Sequence, residues 1–409
     1  MNFANACAVG AAVICMTGAP PASAQEDFSA LQRMVQQDCR AGSFSGVLVV
    51  ARRGSVLFSE ACGFADPVNG RPVTADTLFK IYSTSKFLTA LLVMRLHERG
   101  ELDIDQPLHA YVDGTPETWG GVTLRQLLNH TSGTPDLTEA LVVHFDVDPG
   151  KAMAAVLAEA ARSGGALEGQ GTFRYNNFGF ELLAEATVRA GGQPFDVQLR
   201  EHVFEPAGMG AARLELASSY AGHPQPVTAS DLAIGYNGTP GALVHAMNYA
   251  FIQRGAGAVH ANARDFVALD LALTEGRILS CASLSEMTAH PVEQPVAAGR
   301  LPRRWGLGAL IMESEGVRMH GHTGGTNGYI SDFQRFPDHD AMMIILTNRG
   351  STVTAPFRAE VARALQGARG GGQAACATPA PSCMTSPASA AEVDAAGTPR
   401  RAAGNLHAR

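Results

Sequence analysis

Ser83 and Lys86 stand three residues apart at the start of a long apolar run, residues 87–96. Residues three apart share one face of a helix, so the serine hydroxyl and the lysine amine are expected to meet. A serine hydroxyl is a good nucleophile only when a base takes its proton. A desolvated lysine near the positive end of a helix dipole loses its own proton more easily and becomes such a base. The spacing therefore predicts nucleophilic catalysis, against the ordinary alternative of an N-cap serine followed by a surface lysine.

The scarcity of lysine supports the catalytic interpretation. Only Lys80, Lys86 and Lys151 are lysines among the 31 basic residues of the chain, and all the others are arginines. Arginine stays protonated in proteins, whereas lysine releases its proton when its surroundings disfavour the charge. Lys86, three residues after Ser83, is thus a candidate for a lysine whose ability to release a proton is used in catalysis.

Tyr175 and Asn177 form a second candidate group, just before an amphipathic segment. In an extended segment the two side chains project from the same side. A tyrosine becomes a proton shuttle when a nearby cation lowers the pKa of its phenol. Asn177 is suited to hold a substrate carbonyl or the lysine amine. A plain turn followed by a helix N-cap is the alternative for these residues.

A glycine-rich strand end, residues 320–328, forms the third group. Glycine within a strand often marks the close approach of a ligand or another backbone. A backbone N–H group here, together with the N–H of Ser83, would form an oxyanion hole. Metal binding by His320 and His322 is a weaker alternative because no third ligand is evident. The remaining alternative for this glycine-rich segment is a simple tight turn.

The elements around these groups predict an α+β fold. Strands near both termini would form one antiparallel sheet with flanking helices, and a mostly helical lobe would be inserted in it. We expect a sheet lobe at about 25–115 and 295–366 and a helical lobe at about 116–294. Apolar periodicity and turn residues predict helices at 26–40, 83–99, 151–162, 178–189, 263–273 and 356–365, and strands at 46–51, 55–60, 305–311, 317–322, 329–336 and 341–347.

The two ends of the chain differ from this domain. Residues 1–24 have the apolar run and small-residue cleavage pattern of a signal peptide, which predicts a periplasmic or secreted protein. Residues 367–409 are rich in Gly, Ala, Pro and Ser and predict a disordered tail. We expect no membrane span, because no later apolar run approaches the length of about 20 residues that a bilayer requires.

The charge and the cysteine content bear on the possible partners and disulfides of the protein. The net charge of −7 and the absence of a basic stripe argue against a nucleic-acid partner. In an oxidising compartment Cys39 could pair with Cys62, and Cys376 with Cys383; buried free thiols are equally compatible with the sequence.

The three candidate groups together resemble the serine hydrolases that include class C β-lactamases, D-alanyl-D-alanine peptidases and related esterases. The pattern Ser-x-x-Lys, then Tyr-x-Asn, then Lys-Thr-Gly or His-Thr-Gly stands here in that order, at residues 83–86, 175–177 and 322–324. The resemblance covers roughly residues 28–366. Shorter stretches that also resemble the family lie at 77–79, 127–133, 204–209, 306–308 and 346–348.

The resemblance implies a mechanism. Ser83 would attack a carbonyl and form an acyl-enzyme, and Lys86 and Tyr175 would share the proton transfers, with the acylation base left open between them. Asn177 would position Lys86 and the substrate, and the N–H groups of Ser83 and Gly325 would bind the oxyanion. Water would then release the acid. No metal or organic cofactor is implied, and the substrate would be a small molecule or peptide: a β-lactam, a D-amino-acid peptide or an ester.

One departure bears on the substrate. The third motif, His322-Thr323-Gly324, begins with histidine, whereas the lactamases use a lysine whose positive field helps to hold a β-lactam carboxylate. An unperturbed histidine, with a pKa of about 6.5, is largely neutral at pH 7. An amide or ester hydrolase is therefore expected, ahead of a true class C-like β-lactamase or a slowly deacylating penicillin-binding or sensor protein. Loops 136–150 and 223–246 are expected to set the substrate.

Overall fold

The computed structural model describes residues 26–144, 148–215, 231–239, 242–245, 253–296, 302–326 and 328–369. The expected signal peptide, residues 223–230, 240–241 and 246 of loop 223–246, and both Cys376 and Cys383 lie outside these residues. The predicted start of the tail at residue 367 is too early, because the last helix continues to Arg369.

Strands are concentrated near both ends of the described chain, and most of the helices lie between them. The helices are α1 Ser29–Ala41, α2 Ser85–Glu98, α3 Leu124–Leu128, α4 Thr138–Val143, α5 Pro149–Arg162, α6 Phe178–Gly191, α7 Phe195–Leu199, α8 Glu205–Ala207, α9 Ala263–Thr274, α10 Cys281–Ala289 and α11 Ala355–Arg369. The strands are β1 Gly46–Arg52, β2 Ser55–Cys62, β3 Phe64–Asp66, β4 Arg71–Pro72, β5 Phe79–Lys80, β6 Arg213–Leu214, β7 Tyr236–Thr239, β8 Ala242–His245, β9 Val259–Ala261, β10 Val292–Gln294, β11 Arg303–Trp305, β12 Leu310–Ser314, β13 Val317–Thr326, β14 Tyr329–Phe336 and β15 Ala341–Thr347.

One eight-stranded sheet, in the order β10-β11-β12-β13-β14-β15-β1-β2, organises the molecule. All of its neighbouring strands pair antiparallel. The first strand of the chain, β1, lies directly beside the last, β15, with Gly46 opposite Thr347. The α+β prediction, with a sheet assembled from both ends of the domain, is confirmed.

The central strands of the sheet are buried on both faces. In β1, Val47 and Val49 pack into a core shared with α2 and α9, whereas Leu48 and Val50 pack into a second core beneath α1 and α11. Successive side chains of a strand point to opposite faces, so a strand covered on both sides is apolar throughout. This is why β1 and β15 appear in the sequence as continuous apolar runs rather than as alternating ones.

The helix that follows the nucleophile candidate is the central helix of the fold. Every residue of α2 from Ser85 to Met94 is buried. A helix that is apolar on all sides belongs inside a protein, where other elements surround it. Helix α6 packs against it, while α9, which the sequence placed in the helical lobe, packs on β1 and β15.

The strand predicted at 305–311 is wrong as a single element. Residues 306–309 form a tight connection in which the Gly306 N–H donates to the Ala309 carbonyl, at 2.9 Å. Gly308 has φ +67°, in the left-handed region that favours glycine. The run is therefore divided into the paired strands β11 and β12.

Two covalent or ionic links tie helices to the sheet. A disulfide joins Cys39 of α1 to Cys62 of β2, as one of the sequence alternatives predicted. On the other face, the fully buried Arg335 of β14 donates from Nε to Oδ1 of Asp270 in α9, at 2.7 Å.

Candidate active site

Ser83 lies in a single 3-10 turn, Tyr82–Thr84, that runs directly into α2. Two neighbouring contacts fix this turn on the sheet: Ser331 Oγ of β14 donates to the Ile81 carbonyl at 2.7 Å, and lies 2.8 Å from Thr84 Oγ1. Tyr82 has φ +44°, an uncommon backbone conformation for a non-glycine residue. The packed sheet thus holds the nucleophile candidate in a bent, well-supported position.

Strand β13 reaches the same turn because Gly324 has no side chain. A Cβ at this position would lie 2.1 Å from the Ile81 carbonyl oxygen and 2.9 Å from the Thr84 nitrogen. The glycine predicted to allow a close backbone approach therefore does so, and the partner is the nucleophile turn itself. Beyond Gly321, β13 has no partner on its β12 side among the described strands. Half-buried Thr323 and exposed Gly325, the candidate oxyanion donor, lie in this open part.

Lys86 is fully buried, and three acceptors surround its amine. Its Nζ lies 3.2 Å from Ser83 Oγ, 2.8 Å from Asn177 Oδ1 and 2.9 Å from the Ala256 carbonyl oxygen. Burial disfavours the ammonium form and lowers the pKa of Lys86 to about 7, against the opposing influence of Glu181 and Asp136. A neutral amine is therefore well populated at neutral pH, next to the serine whose proton it would accept.

Tyr175 faces both members of this pair. The Lys86 Nζ lies 5.1 Å from the centre of its ring, a cation–π distance, and 38% of the tyrosine surface remains exposed to the cleft. Desolvation of the phenolate raises the pKa of Tyr175, and hydrogen bonding with the Ser83 side chain opposes this rise only in part. The phenol is accordingly protonated at neutral pH, in a position to donate a hydrogen bond rather than to act as a phenolate.

Asn177 and Asp136 form the floor under Lys86. Asn177 is the N-cap of α6, and its side-chain oxygen points to the lysine. The Asp136 carboxylate accepts the backbone N–H groups of Asn177 and Phe178, both at 3.2 Å, as well as that of Thr138. It thereby satisfies the free donors at the start of α6 and fixes the angle of Asn177.

The two histidines near the site are neutral. The Nδ1 of His322 donates to the Thr323 carbonyl at 2.6 Å, and burial lowers the pKa of His322 to about 3. Its buried Nε2 has no hydrogen-bond partner among the described residues and presents a lone pair. His130 is also buried, with its pKa lowered well below the usual value by desolvation. Trp305 contacts both rings, at 5.2 Å each.

Sequence reasoning missed Glu181 and the segment that contains Ala256. Glu181 is buried in α6 and accepts the N–H groups of Ala256 at 2.9 Å and Gly255 at 3.2 Å. A carboxylate four residues after Asn177, on the inner face of an otherwise apolar helix, was the signal that could have identified it. Nothing in the sequence places Ala256 near Lys86, since the two are 170 residues apart.

The metal alternative gains no support within the described ranges. No group of three or more His, Cys, Asp or Glu side chains there is arranged to hold a metal ion. In addition, one ring nitrogen of His322 is already committed to the Thr323 carbonyl. A helix long and apolar enough to cross a bilayer is likewise not found in the described part of the chain.

Comparison with known proteins gives the family. The Beta-lactamase family model matches residues 31–368, and the chain therefore belongs to this family of β-lactamase-related serine hydrolases. It is 29% identical over 320 residues to penicillin-binding protein 4* of Bacillus subtilis (strain 168), covering 75% of this chain and 68% of that protein. It is 32% identical over 185 residues to esterase EstB of Burkholderia gladioli, covering 40% of this chain and 45% of the esterase.

A solved structure shares the fold. The D-amino acid amidase from Ochrobactrum anthropi SV3, complexed with L-phenylalanine amide, superimposes with a TM-score of 0.70 at 22% identity. The match covers 84% of this chain and all of the amidase. The α+β architecture is therefore that of the β-lactamase and penicillin-binding protein group.

Proposed function

We propose that this protein cleaves an ester or amide bond through an acyl-enzyme on Ser83, with Lys86 as the base that activates the serine. One observation carries the proposal: the buried Lys86 amine lies 3.2 Å from Ser83 Oγ and has a pKa lowered to about 7. A general base is most effective when its pKa lies near the working pH. Lys86 meets this condition, and no other titrating group lies between its amine and Ser83 Oγ.

The proton path follows from the contacts. The neutral Lys86 amine takes the Ser83 proton as Oγ attacks the carbonyl carbon, and Asn177 Oδ1 and the Ala256 carbonyl stabilise the ammonium that forms. Tyr175, held protonated by desolvation, donates to the leaving group and is reprotonated from Lys86. In the second half-reaction water attacks the acyl carbonyl and the same groups act in reverse. Backbone N–H groups of Ser83 and Gly325 would bind the oxyanion.

The surroundings of His322 favour an ester or amide substrate without a carboxylate at that position. The buried, neutral imidazole, with its Nδ1 proton committed to Thr323, provides no positive charge. His322 therefore contributes no field that would attract the carboxylate of a β-lactam. The similarity to esterase EstB agrees with an ester substrate, whereas that to penicillin-binding protein 4* keeps β-lactam acylation as the second candidate.

We also propose that the protein is exported to a periplasm or the medium. The disulfide between Cys39 and Cys62 supports an oxidising compartment, because such links persist mainly outside the cytosol. Detection of the disulfide by mass in protein isolated from the exported fraction tests this part of the proposal.

The main test is intact-protein mass during reaction with an aryl ester and, separately, with a penicillin. Wild-type protein should show an acyl adduct that appears and decays with the ester. Ser83→Ala should show none, and Lys86→Arg should be acylated at least a hundredfold more slowly, because arginine does not deprotonate. Lys151→Arg, the same exchange at an exposed site, is the matched control and should behave like the wild type.

The two compounds separate the candidates. Rapid turnover of the ester with little penicillin adduct supports the proposal. A penicillin adduct that forms quickly and persists would favour the penicillin-binding or sensor alternative, and one that decays quickly would favour a β-lactamase. Acylation of Ser83→Ala at the wild-type rate would show that Ser83 is not the nucleophile.

A further inference from the structure

Glu181 is a buried carboxylate for which the mechanism above has no role. It lies on α6, fully enclosed, one helical turn after Asn177. Its two oxygens accept the consecutive N–H groups of Gly255 and Ala256, and the carbonyl of the same Ala256 accepts the Lys86 amine. A single residue, Ala256, therefore connects the Glu181 carboxylate to the lysine amine, because its N–H group donates to the carboxylate and its carbonyl accepts from the amine.

The segment around Ala256 is held tightly against α6. A Cβ on Gly255 would lie 2.2 Å from the Phe180 carbonyl oxygen, so this segment has approached the helix backbone as closely as a glycine permits. On its other side, Thr89 Oγ1 of α2 donates to the Gly255 carbonyl at 2.7 Å. Together with these contacts, the Glu181 carboxylate holds the Ala256 carbonyl in place. The carbonyl would therefore not follow the Lys86 amine if the amine moved.

We propose that Glu181 is a positioning residue: it orients the Ala256 carbonyl toward Lys86 and places a negative charge near the amine, so that it sets how readily Lys86 gains and loses its proton. The proposal rests on the proposed function only in taking Lys86 as the base. The burial of both groups strengthens their coupling, because the field between charges is weakly screened in a protein interior.

The other groups that face Lys86 leave this role to Glu181. His130 and His322 are neutral, and the phenol of Tyr175 is protonated. Asp136 provides the second carboxylate, which raises the pKa of Lys86 less than Glu181 does and which caps the N–H groups at the start of α6. Burial raises the pKa of Glu181 to about 7, so the charge that Glu181 places near Lys86 changes across neutral pH.

The low lysine content allows a direct test. Protein labelled with lysine carrying ¹³C at the ε carbon gives one signal each for Lys80, Lys86 and Lys151. Loss of one signal in Lys86→Arg assigns the site. In the wild type, the Lys86 signal should titrate with a pKa of about 7. In Glu181→Gln, which keeps the shape and removes the charge, the pKa should fall by about one unit.

Two variants separate charge from packing. Glu181→Asp keeps the charge and shortens the reach, so Lys86 should titrate close to the wild-type value while kcat/KM for the ester falls. Glu185→Gln removes a carboxylate one turn further along α6, where it pairs with Arg254 of the same segment. It should leave the Lys86 titration unchanged.

The proposal would be overturned if Lys86 had the same pKa in the wild type and in Glu181→Gln. It would also be overturned if Glu185→Gln lowered the pKa of Lys86 as much as Glu181→Gln does. If Glu181→Gln does not fold, the backbone amide signals of Gly255 and Ala256 in unmodified protein give the answer. They should shift together with the Lys86 titration, and pH-independent signals would contradict the proposal. These titrations need no turnover, so a failure of Glu181 to influence Lys86 stays distinct from a failure of Ser83→Ala to abolish acylation.

Discussion

Gly324 is the position where one added methyl group should separate the catalytic residues. An alanine Cβ there would lie 2.1 Å from the Ile81 carbonyl oxygen, about 1.3 Å short of an ordinary contact at 3.4 Å, and 2.5 Å from Ser331 Oγ. Neither neighbour can give way cheaply, because both belong to the backbone and hydrogen bonds that fix the Ser83 turn on the sheet. We expect Gly324→Ala to push β13 and the turn apart by about 1 Å.

The cost follows from this displacement. Overpacking of a well-packed interior costs about 1–3 kcal/mol in the free energy of unfolding. A misplacement of about 1 Å in a catalytic group lowers the rate about a hundredfold. Urea unfolding and kcat for an aryl ester measure the two effects separately.

The neighbouring glycine is the matched control. In Gly325→Ala the nearest atom to the new Cβ is Ile330 Cδ1, at 2.8 Å, the end of a flexible side chain, and the position is exposed. Stability should therefore change by less than about 0.5 kcal/mol. If Gly324→Ala were as stable as Gly325→Ala and as active as the wild type, the close packing of β13 against the Ser83 turn would be wrong.

Three further predictions follow from the site and the core. For a neutral ester, kcat/KM should rise with pH and level off above an apparent pKa of about 7, because Lys86 must be deprotonated to act as base; a rate that falls across this range would contradict that assignment. Asp270→Asn should reduce the free energy of unfolding by about 3–5 kcal/mol, since it leaves the buried guanidinium of Arg335 uncompensated; an unchanged urea midpoint would refute this. Replacing Cys39 and Cys62 together by serine should cost about 3 kcal/mol by the same assay, because the disulfide closes a loop with a sequence separation of 23; wild-type stability without this link would contradict the prediction.

The sequence predicts those parts of the site that depend on local geometry. The contact between Ser83 and Lys86 follows from the helix period, because residues three apart lie on one face of a helix. Tyr175 and Asn177 were predicted as a group from their two-residue spacing just before α6. The strands at 329–336 and 341–347 were predicted at their observed bounds, since they are continuous apolar or alternating runs between clear turns.

The parts that the sequence does not predict depend on contacts between distant segments. Ala256 offers only a backbone carbonyl, which every residue has, so no residue type marks it as a partner of Lys86. In the sequence Asp136 resembles any polar loop residue. Its role becomes evident only when the structure shows that it caps the start of α6. At Gly308, in contrast, a local signal existed: two glycines within three residues indicated a turn, yet the apolar neighbours suggested an unbroken strand.

The pairing of β1 with β15 has a consequence for how the protein is made. Ser83, the proposed nucleophile, is synthesised in the first quarter of the described chain, but the sheet that supports its turn closes only when residues 341–347 have emerged to lie between β14 and β1. Contacts of such long sequence separation form slowly and late. A nascent chain that stops before β15 would leave β1 with an open edge and both cores uncovered, a target for proteases and aggregation. Activity should therefore appear only with the completed chain.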